Sequence, residues 1–328
     1  MDTKTQQPSV SIIILNWNGR DDTLGCLKSL VQIDYINYTI VLVDNASTDG
    51  LTKIVRYQFP HVKIIENAEN LGFAEGNNVG IRKALSEQAD YILLVNNDTL
   101  VKPNFLSKLI WVGEKYPTVG MLSPVIYYEN PPDRLWFYKA GVNWNNGFAY
   151  HHEQDLTEIN TLTQDMYDSE YLTGCALLVK SHVIESIGLL DHRFFAYYED
   201  VDWSLRCQQA GWRTTVVPSS VVWHKLSSNQ NSDYGKFLKY RNTILFLWKH
   251  STRILFLRRV KKHIYNALAE YSWDKEEFLQ STRFSPLDGV WAGLTGQYGS
   301  QRKKMPIVLE QMIYHLIRYW LWLFRFPT

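Results

Sequence analysis

Apolar residues in this chain come in short solid runs, each closed by a polar cluster. Val10-Ser-Ile-Ile-Ile-Leu15 ends in Asn16-Trp17-Asn18-Gly19, and Thr39-Ile-Val-Leu-Val43 ends in Asp44-Asn45-Ala46-Ser47-Thr48-Asp49-Gly50. Val62-Lys-Ile-Ile65 runs into Glu66-Asn67, and Tyr91-Ile-Leu-Leu-Val95 runs into Asn96-Asn97-Asp98-Thr99. Runs that are apolar at consecutive rather than alternate positions fit strands buried on both faces. The stretches between them fit helices, one capped around Asp21-Asp22-Thr23 and running to about Val31, another following Asn70–Asn78 to about Gln88. Strands alternating with helices predict an α/β, mostly parallel sheet with right-handed crossovers. All four polar clusters then fall on one edge, beyond the carboxyl ends of the strands, where ligands of such sheets bind.

Further along, a helix from about Asn104 leads to a strand over Val119–Ile126. Residues 128–168 read as irregular, with Pro131-Pro132 and the aromatics Trp136, Phe137, Tyr138, Trp144, Phe148 and Tyr150. Such a loop beside a polar site either stacks on a sugar or simply packs. His151-His152 within it reads as a solvated pair rather than a metal site. Tyr171–Val179 is expected to be a strand containing Gly174. A helix is expected from the acidic cluster Glu199, Asp200 and Asp202 to about Ala210. A strand over Trp212–Val217 is expected to stop at Pro218, followed by Val221-Val-Trp-His224.

Composition narrows the class. With 45% hydrophobic and 20% charged residues, the 328-residue chain can bury a large core. Cys26, Cys175 and Cys207 form neither a zinc pattern nor a disulfide framework, which favours a reducing compartment. The polar first ten residues do not resemble a signal peptide, and no apolar stretch is long enough for a membrane span. Cytoplasmic placement is the expectation. The net charge of +1 hides an asymmetry, because residues 225–328 carry a balance of +10 and residues 1–224 one of −9. Two parts are therefore expected: 1–232 as the α/β domain and 233–328 as a basic, aromatic helical extension. The extension, including Ile307–Phe326, suits the surface of a membrane, with a homodimer interface as the competing use. Nucleic acid is disfavoured, since the acidic half would repel phosphates.

The polar edge has chemistry of its own. A carboxylate at Asp98 suits a hard divalent cation that also holds phosphate oxygens, although Asn and Asp there could instead cap the next helix. The edge as a whole suits a nucleotide. Asp44 can accept a hydrogen bond from a base or ribose, with Asn16 beside it, and Gly72, Gly76 and Asn77-Asn78 would let backbone N–H groups approach a phosphate. Neither a G-x-G-x-x-G fingerprint after the first strand nor a P-loop occurs, which weakens dinucleotide-oxidoreductase and P-loop readings. Glu199, Asp200 and Asp202 could merely complement a helix dipole or could supply a carboxylate base. Asp200 and Asp202 lie roughly 200° apart around a helix and cannot both face one cleft. Cys175, on an apolar strand, reads as packing rather than as a nucleophile.

Four ordered motifs, Ile12–Gly19, Val43–Gly50, Asn70–Gly80 and Leu94–Asp98, resemble family 2 glycosyltransferases, in particular the bacterial rhamnosyltransferase-like members. The resemblance spans roughly residues 9–245. It implies a GT-A fold, with a nucleotide-sugar half at about 1–127 and an acceptor half at about 128–232. It also implies a dTDP-, UDP- or GDP-sugar donor, a divalent Mg²⁺ or Mn²⁺, and transfer with inversion to a glycan or lipid-linked acceptor in surface-polysaccharide synthesis. Matching positions make Asp200 the base and Glu199 its neighbour that holds the acceptor or orients the base. They place Asn16, Asp44, Asn70, Gly72, Asn77, Asn97, Asp98 and Gly174 on the donor side, with Asp98 and His224 toward the metal. The family's D-x-D motif reads Asn96-Asn97-Asp98 here, leaving one carboxylate of two. A lone His such as His224 is usually structural, so its metal role rests on the resemblance alone. The competing classes are a non-catalytic nucleotide-sugar-binding scaffold, which would not need Glu199-Asp200, and a sugar nucleotidyltransferase, which would want a basic glycine-rich loop where Asn16–Arg20 stands.

Overall fold

The computed structural model describes residues 7–152, 164–225, 232–273, 285–300, 304–306 and 312. The solid apolar runs form β1 (Val10–Asn16), β2 (Tyr38–Asp44), β3 (Lys63–Glu66) and β4 (Tyr91–Asn96), parallel in the order β4-β1-β2-β3. Ile12, Ile13, Ile14, Val41, Leu42 and Leu93 have no exposed surface, as strands covered on both faces require. Helices α1 (Arg20–Leu30), α2 (Leu51–Gln58) and α3 (Gly72–Ser86) make the crossovers. Asp21 and Asp22 sit inside the first turn of α1, whose N-cap is Gly19, so they favour the helix through its dipole rather than by capping.

Beyond β4 the sheet becomes mixed. A three-residue strand, β5 (Thr99–Val101), precedes α4 (Phe105–Lys115) and β6 (Val119–Tyr128). The stretch expected to be irregular contains β7 (Leu135–Phe137), the hairpin β8 (Ala140–Asn143) and β9 (Phe148–His151), and β10 (Tyr167–Asp168). Then come β11 (Ala176–Lys180), α5 (Ser181–Ile187), a 3-10 turn at His192–Phe194, α6 (Glu199–Gln209) and β12 (Arg213–His224). The order is β10-β12-β6-β11-β4-β1-β2-β3, with β5 on β12 and β7 on β6. Gly174 lies just before β11 rather than inside it. Pro218 does not end a strand, because Pro218-Ser219-Ser220 bulge out between Val217 and Val221 and the parallel pairing with β6 resumes. A bulge removes the ladder bond that proline cannot make.

Contacts divide the chain into two units, residues 1–142 with 149–227, and residues 143–148 with 228–328. The hairpin tip Asn143–Phe148 therefore groups with the helices. In this second unit α7 (Asp233–His250), α8 (Arg253–Trp273) and α9 (Pro286–Leu294) surround a core of Tyr240, Ala267, Leu287, Val290 and Met305. Phe148 stands edge-on to Tyr240 and packs on His263. Helix α9 starts with a capping box between Ser285 and Asp288 around Pro286. Its Gly293 lets the helix press on α7, where an added Cβ would lie 2.7 Å from the Cβ of Ile244. Among the described residues no helix is long and apolar enough to cross a membrane. Apart from Met312, the expected basic aromatic segment at 307–326 lies outside them.

Candidate active site

The polar cluster after β1 is a hydrogen-bond hub. Asn16 is fully buried; its Nδ2 donates to Asp44 Oδ1 (2.8 Å) and Ser47 Oγ (2.9 Å). Its Oδ1 accepts from Gly19 N–H (3.1 Å), Thr23 Oγ1 (2.8 Å) and Asn97 Nδ2 (3.3 Å). Asn16, expected near the base, thus has no surface for a ligand and instead sets Asp44. The Asp44 carboxylate also accepts from Ser47 N–H at 3.0 Å. Asn97 reaches Thr23 Oγ1 at 3.0 Å and ties the end of β4 to the first turn of α1.

The start of α3 differs from expectation. Phe195 O accepts from the N–H groups of Phe73 (2.6 Å) and Ala74 (3.1 Å), so these two donors, expected to meet a phosphate, are already capped by protein. Gly72 makes this contact possible: it has φ +78°, and a Cβ there would stand 2.6 Å from Phe195 O. Asn70 Oδ1 accepts from Gly72 N–H, and Asn77 donates to Phe73 O. Asn70, Gly72 and Asn77, expected on the donor side, thus hold this joint together through their own hydrogen bonds.

Asp98 and His224 meet because β5 pairs antiparallel with the end of β12, Thr99 opposite His224. His224 Nε2 lies 2.9 Å from Asp98 Oδ1, both side chains nearly buried, and Lys225 N–H donates to Asp98 O. Burial disfavours an imidazolium at His224, but Cys175 and Asp98 beside it outweigh burial and push its pKa up to about 10. Trp136 stacks edge-on over His224, ring centroids 4.6 Å apart, and over His151 at 5.0 Å. The aromatic loop thus supplies packing for the histidine, and His151 is part of that packing rather than of a solvated pair.

A carboxylate and an imidazole at this spacing fit one divalent cation only if the cation displaces the ring proton that now meets Asp98, since neighbouring ligands about 2.1 Å from an ion lie roughly 3 Å apart. Among the described residues no group of three or more His, Cys, Asp or Glu side chains could hold a metal. A two-donor set is complete only with oxygens from elsewhere, the usual situation where a cation is shared with a diphosphate.

The second centre opens α6. Asp200 accepts from Gly174 N–H (3.0 Å) and Val201 N–H (2.8 Å). Gly174 is next to Cys175, whose Sγ lies 3.4 Å from Thr99 Oγ1 and whose carbonyl accepts from Asn96 N–H. The turn Thr173–Cys175 therefore connects the carboxylate of Asp200 with the Asp98–His224 pair. Asp202 points elsewhere: it is fully buried and bridges to Arg206 at 2.9 Å, and Arg206 also donates to the carbonyls of Ile187, Gly188 and Leu189. Burial raises the pKa of Glu199 well above the usual carboxylate range, and the Asp200 and Asp202 charges add to it. Burial raises Asp200 too, but the N–H groups of Gly174 and Val201 oppose the shift. The pair therefore carries its first negative charge on Asp200.

The backbone strain in the loop leading to Asp200 has no counterpart in the sequence reading. Phe195, Tyr197 and Tyr198 all have positive φ (66°, 70° and 75°), conformations costly for aromatic residues. Such strain concentrates at functional sites. No residue type there announces it. The Asp202–Arg206 anchor was legible as an i,i+4 pair of opposite charges.

Residues 11–182 match the family model described as "Glycosyl transferase family 2". The chain is 26% identical over 233 residues to N-acetylglucosaminyl-diphospho-decaprenol L-rhamnosyltransferase of Mycobacterium tuberculosis, covering 64% of this chain and 74% of that one. It is 23% identical over 301 residues to dTDP-rhamnosyl transferase RfbF of Shigella flexneri, covering 88% and 97%. Its fold is similar to that of the mannosyltransferase PcManGT from Pyrobaculum calidifontis in complex with GDP-Man and Mn²⁺. That match has a TM-score of 0.55 and 17% identity, over 95% of this chain and 81% of that one.

Proposed function

The chain belongs to glycosyl transferase family 2, and from that premise we propose that it transfers a hexosyl residue, L-rhamnose first among the candidates, with inversion from a nucleoside diphosphate to a hydroxyl of a lipid-linked glycan. The observation that supports this most is the convergence at one sheet edge of Asp98, His224 and Asp200, joined through Thr173–Cys175. Residues 1–232 form the catalytic part in this reading, and the helical remainder serves it at the cytoplasmic face of the membrane, for surface-polysaccharide assembly. The rhamnosyl donor follows the names of the relatives from Shigella flexneri and Mycobacterium tuberculosis, and the lipid-linked acceptor follows the latter.

Asp44 holds the nucleoside through its carboxylate, fixed in place by Asn16 and Ser47. Asp98 and His224 hold a divalent cation, Mg²⁺ or Mn²⁺, which when bound offsets the negative charge that develops on the departing diphosphate. Asp200, ionised before Glu199, takes the proton of the acceptor hydroxyl as its oxygen attacks the anomeric carbon. Glu199, kept protonated by burial, leaves that single charge on Asp200. Its side chain can donate a hydrogen bond but cannot compete for the proton.

The test is a thermal-shift screen of dTDP-rhamnose, UDP-sugars and GDP-sugars with and without Mn²⁺, followed by transfer to a polyprenyl-diphosphate-linked sugar. A Mn²⁺-dependent shift with one donor, absent in Asp98→Ala, is expected. Equal stabilisation of Asp98→Ala, or no shift with any donor, would overturn the assignment.

A further inference from the structure

The second unit presents a cationic face with large apolar side chains in its midst. Helix α8 turns Val260, His263 and Ala267 inward, and all three are buried. Its outer side begins with Ile254 (73% exposed) and Leu257 (70%) and continues with Arg258, Lys261, Lys262 and Tyr265. At about 100° per residue these six fall within an arc of roughly 140°. Trp248, at the end of α7 and 60% exposed, lies beside the first turn of α8 with its ring against Phe256.

The charge is one-sided. Between Tyr234 and Ala269 the sequence contains no Asp or Glu, while Lys and Arg recur throughout. No carboxylate among the described residues pairs with Arg253, Arg258, Lys261 or Lys262. Protein interfaces are depleted in charge at their centre, and Lys especially is scarce there. A nucleic-acid groove would have no use for exposed Ile and Leu among its cations. Exposed aliphatic and aromatic side chains set among Lys and Arg, with no carboxylate near them, instead suit the surface of an anionic bilayer. The long basic side chains can reach phosphate groups while their stems stay in the apolar layer.

We propose that the outer face of α8, with Trp248 beside it, docks on an anionic lipid bilayer, Ile254 and Leu257 entering the headgroup layer and Arg258, Lys261 and Lys262 engaging lipid phosphates. Its purpose rests on the reading of a lipid-linked acceptor, since docking brings the enzyme to the surface where such acceptors reside. The helix lies on the membrane rather than across it, as its charge demands.

The test is co-sedimentation of the full chain with vesicles of phosphatidylcholine alone or mixed with phosphatidylglycerol. Binding to the anionic vesicles only, weakened by salt, is expected. The triple change Arg258→Gln/Lys261→Gln/Lys262→Gln should lower affinity by roughly fivefold for each residue neutralised. Ile254→Gln/Leu257→Gln should lower it by about tenfold or more. Both variants should keep the wild-type circular dichroism and wild-type transfer to a water-soluble acceptor analogue. Wild-type protein that ignores anionic vesicles, or variants that bind like wild type, would overturn the proposal. So would variants whose main change is in oligomeric state by light scattering, because a second copy would then be the occupant. Loss of vesicle binding in the variants of a chain that transfers no sugar would instead overturn the proposed function and leave the docking surface standing.

Discussion

At the scale of single residues, Asp200 and Glu199 differ only in what surrounds them. Both are buried, but Asp200 has two backbone N–H donors while Glu199 has the Asp200 and Asp202 charges beside it. Asp200→Asn removes the proposed base and leaves its size, so turnover should fall by about 10²–10⁴-fold with donor affinity within about twofold. Near-normal turnover would refute the role. Because a base must be ionised, kcat/KM should rise with pH through a value above that of an ordinary aspartate. Glu199 makes the opposite kind of statement, about stability. Its folded pKa is raised, so its contribution is fully present below the unfolded pKa of about 4.3 and is lost as pH rises toward the folded value. Glu199→Gln escapes that loss. The melting temperature of the variant relative to wild type should therefore climb steadily with pH from about 4 upward. A difference that stays constant across the range would show that Glu199 is not held protonated.

At the scale of elements, the joint between α3 and the Phe195 loop is the most exposed to test. Gly72→Ala forces a side chain into a left-handed conformation and against Phe195 O, and should cost about 2–4 kcal/mol in urea unfolding. Turnover should drop more than donor affinity, because the displaced loop leads straight to Asp200. Unchanged stability would mean the loop yields freely. Elements also show where the sequence was readable. The strands β1 to β4 were legible because each is a solid apolar run closed by polar residues, and Asp98 was legible as the carboxylate at the end of one. Strand β5 was not, since Thr99-Leu100-Val101 is too short to stand without β12, a partner more than a hundred residues away. Pro218 misled for the related reason that a bulge is a property of the pairing, not of the residue. The contact between Asp98 and His224 depends on both features and had no local signature. The joint at Phe195 was hidden because aromatic residues do not advertise positive φ.

At the scale of the whole molecule, the chain has two hydrophobic cores and two opposite charge balances. The helical core depends on the close approach of α9 to α7 at Gly293, where a larger residue meets Ile244 Cβ and Arg241 O. Gly293→Val should destabilise that core by about 1–3 kcal/mol. Calorimetry should show the loss there, with Mn²⁺-dependent donor stabilisation retained. Loss of donor binding in this variant would mean that the two cores act as one. The pairing of β5 with β12 has a consequence in time as well as in space. His224 follows Asp98 by 126 residues. At roughly 5–20 residues per second, a ribosome therefore needs about 6–25 s after adding Asp98 to add its partner. Throughout that interval the nascent chain already contains β1 to β4 and their polar edge, but not the pairing of Asp98 with His224, and for most of it not Asp200. In the proposed reading, the cation pair is therefore completed only when β12, the last strand among the described residues, has been made.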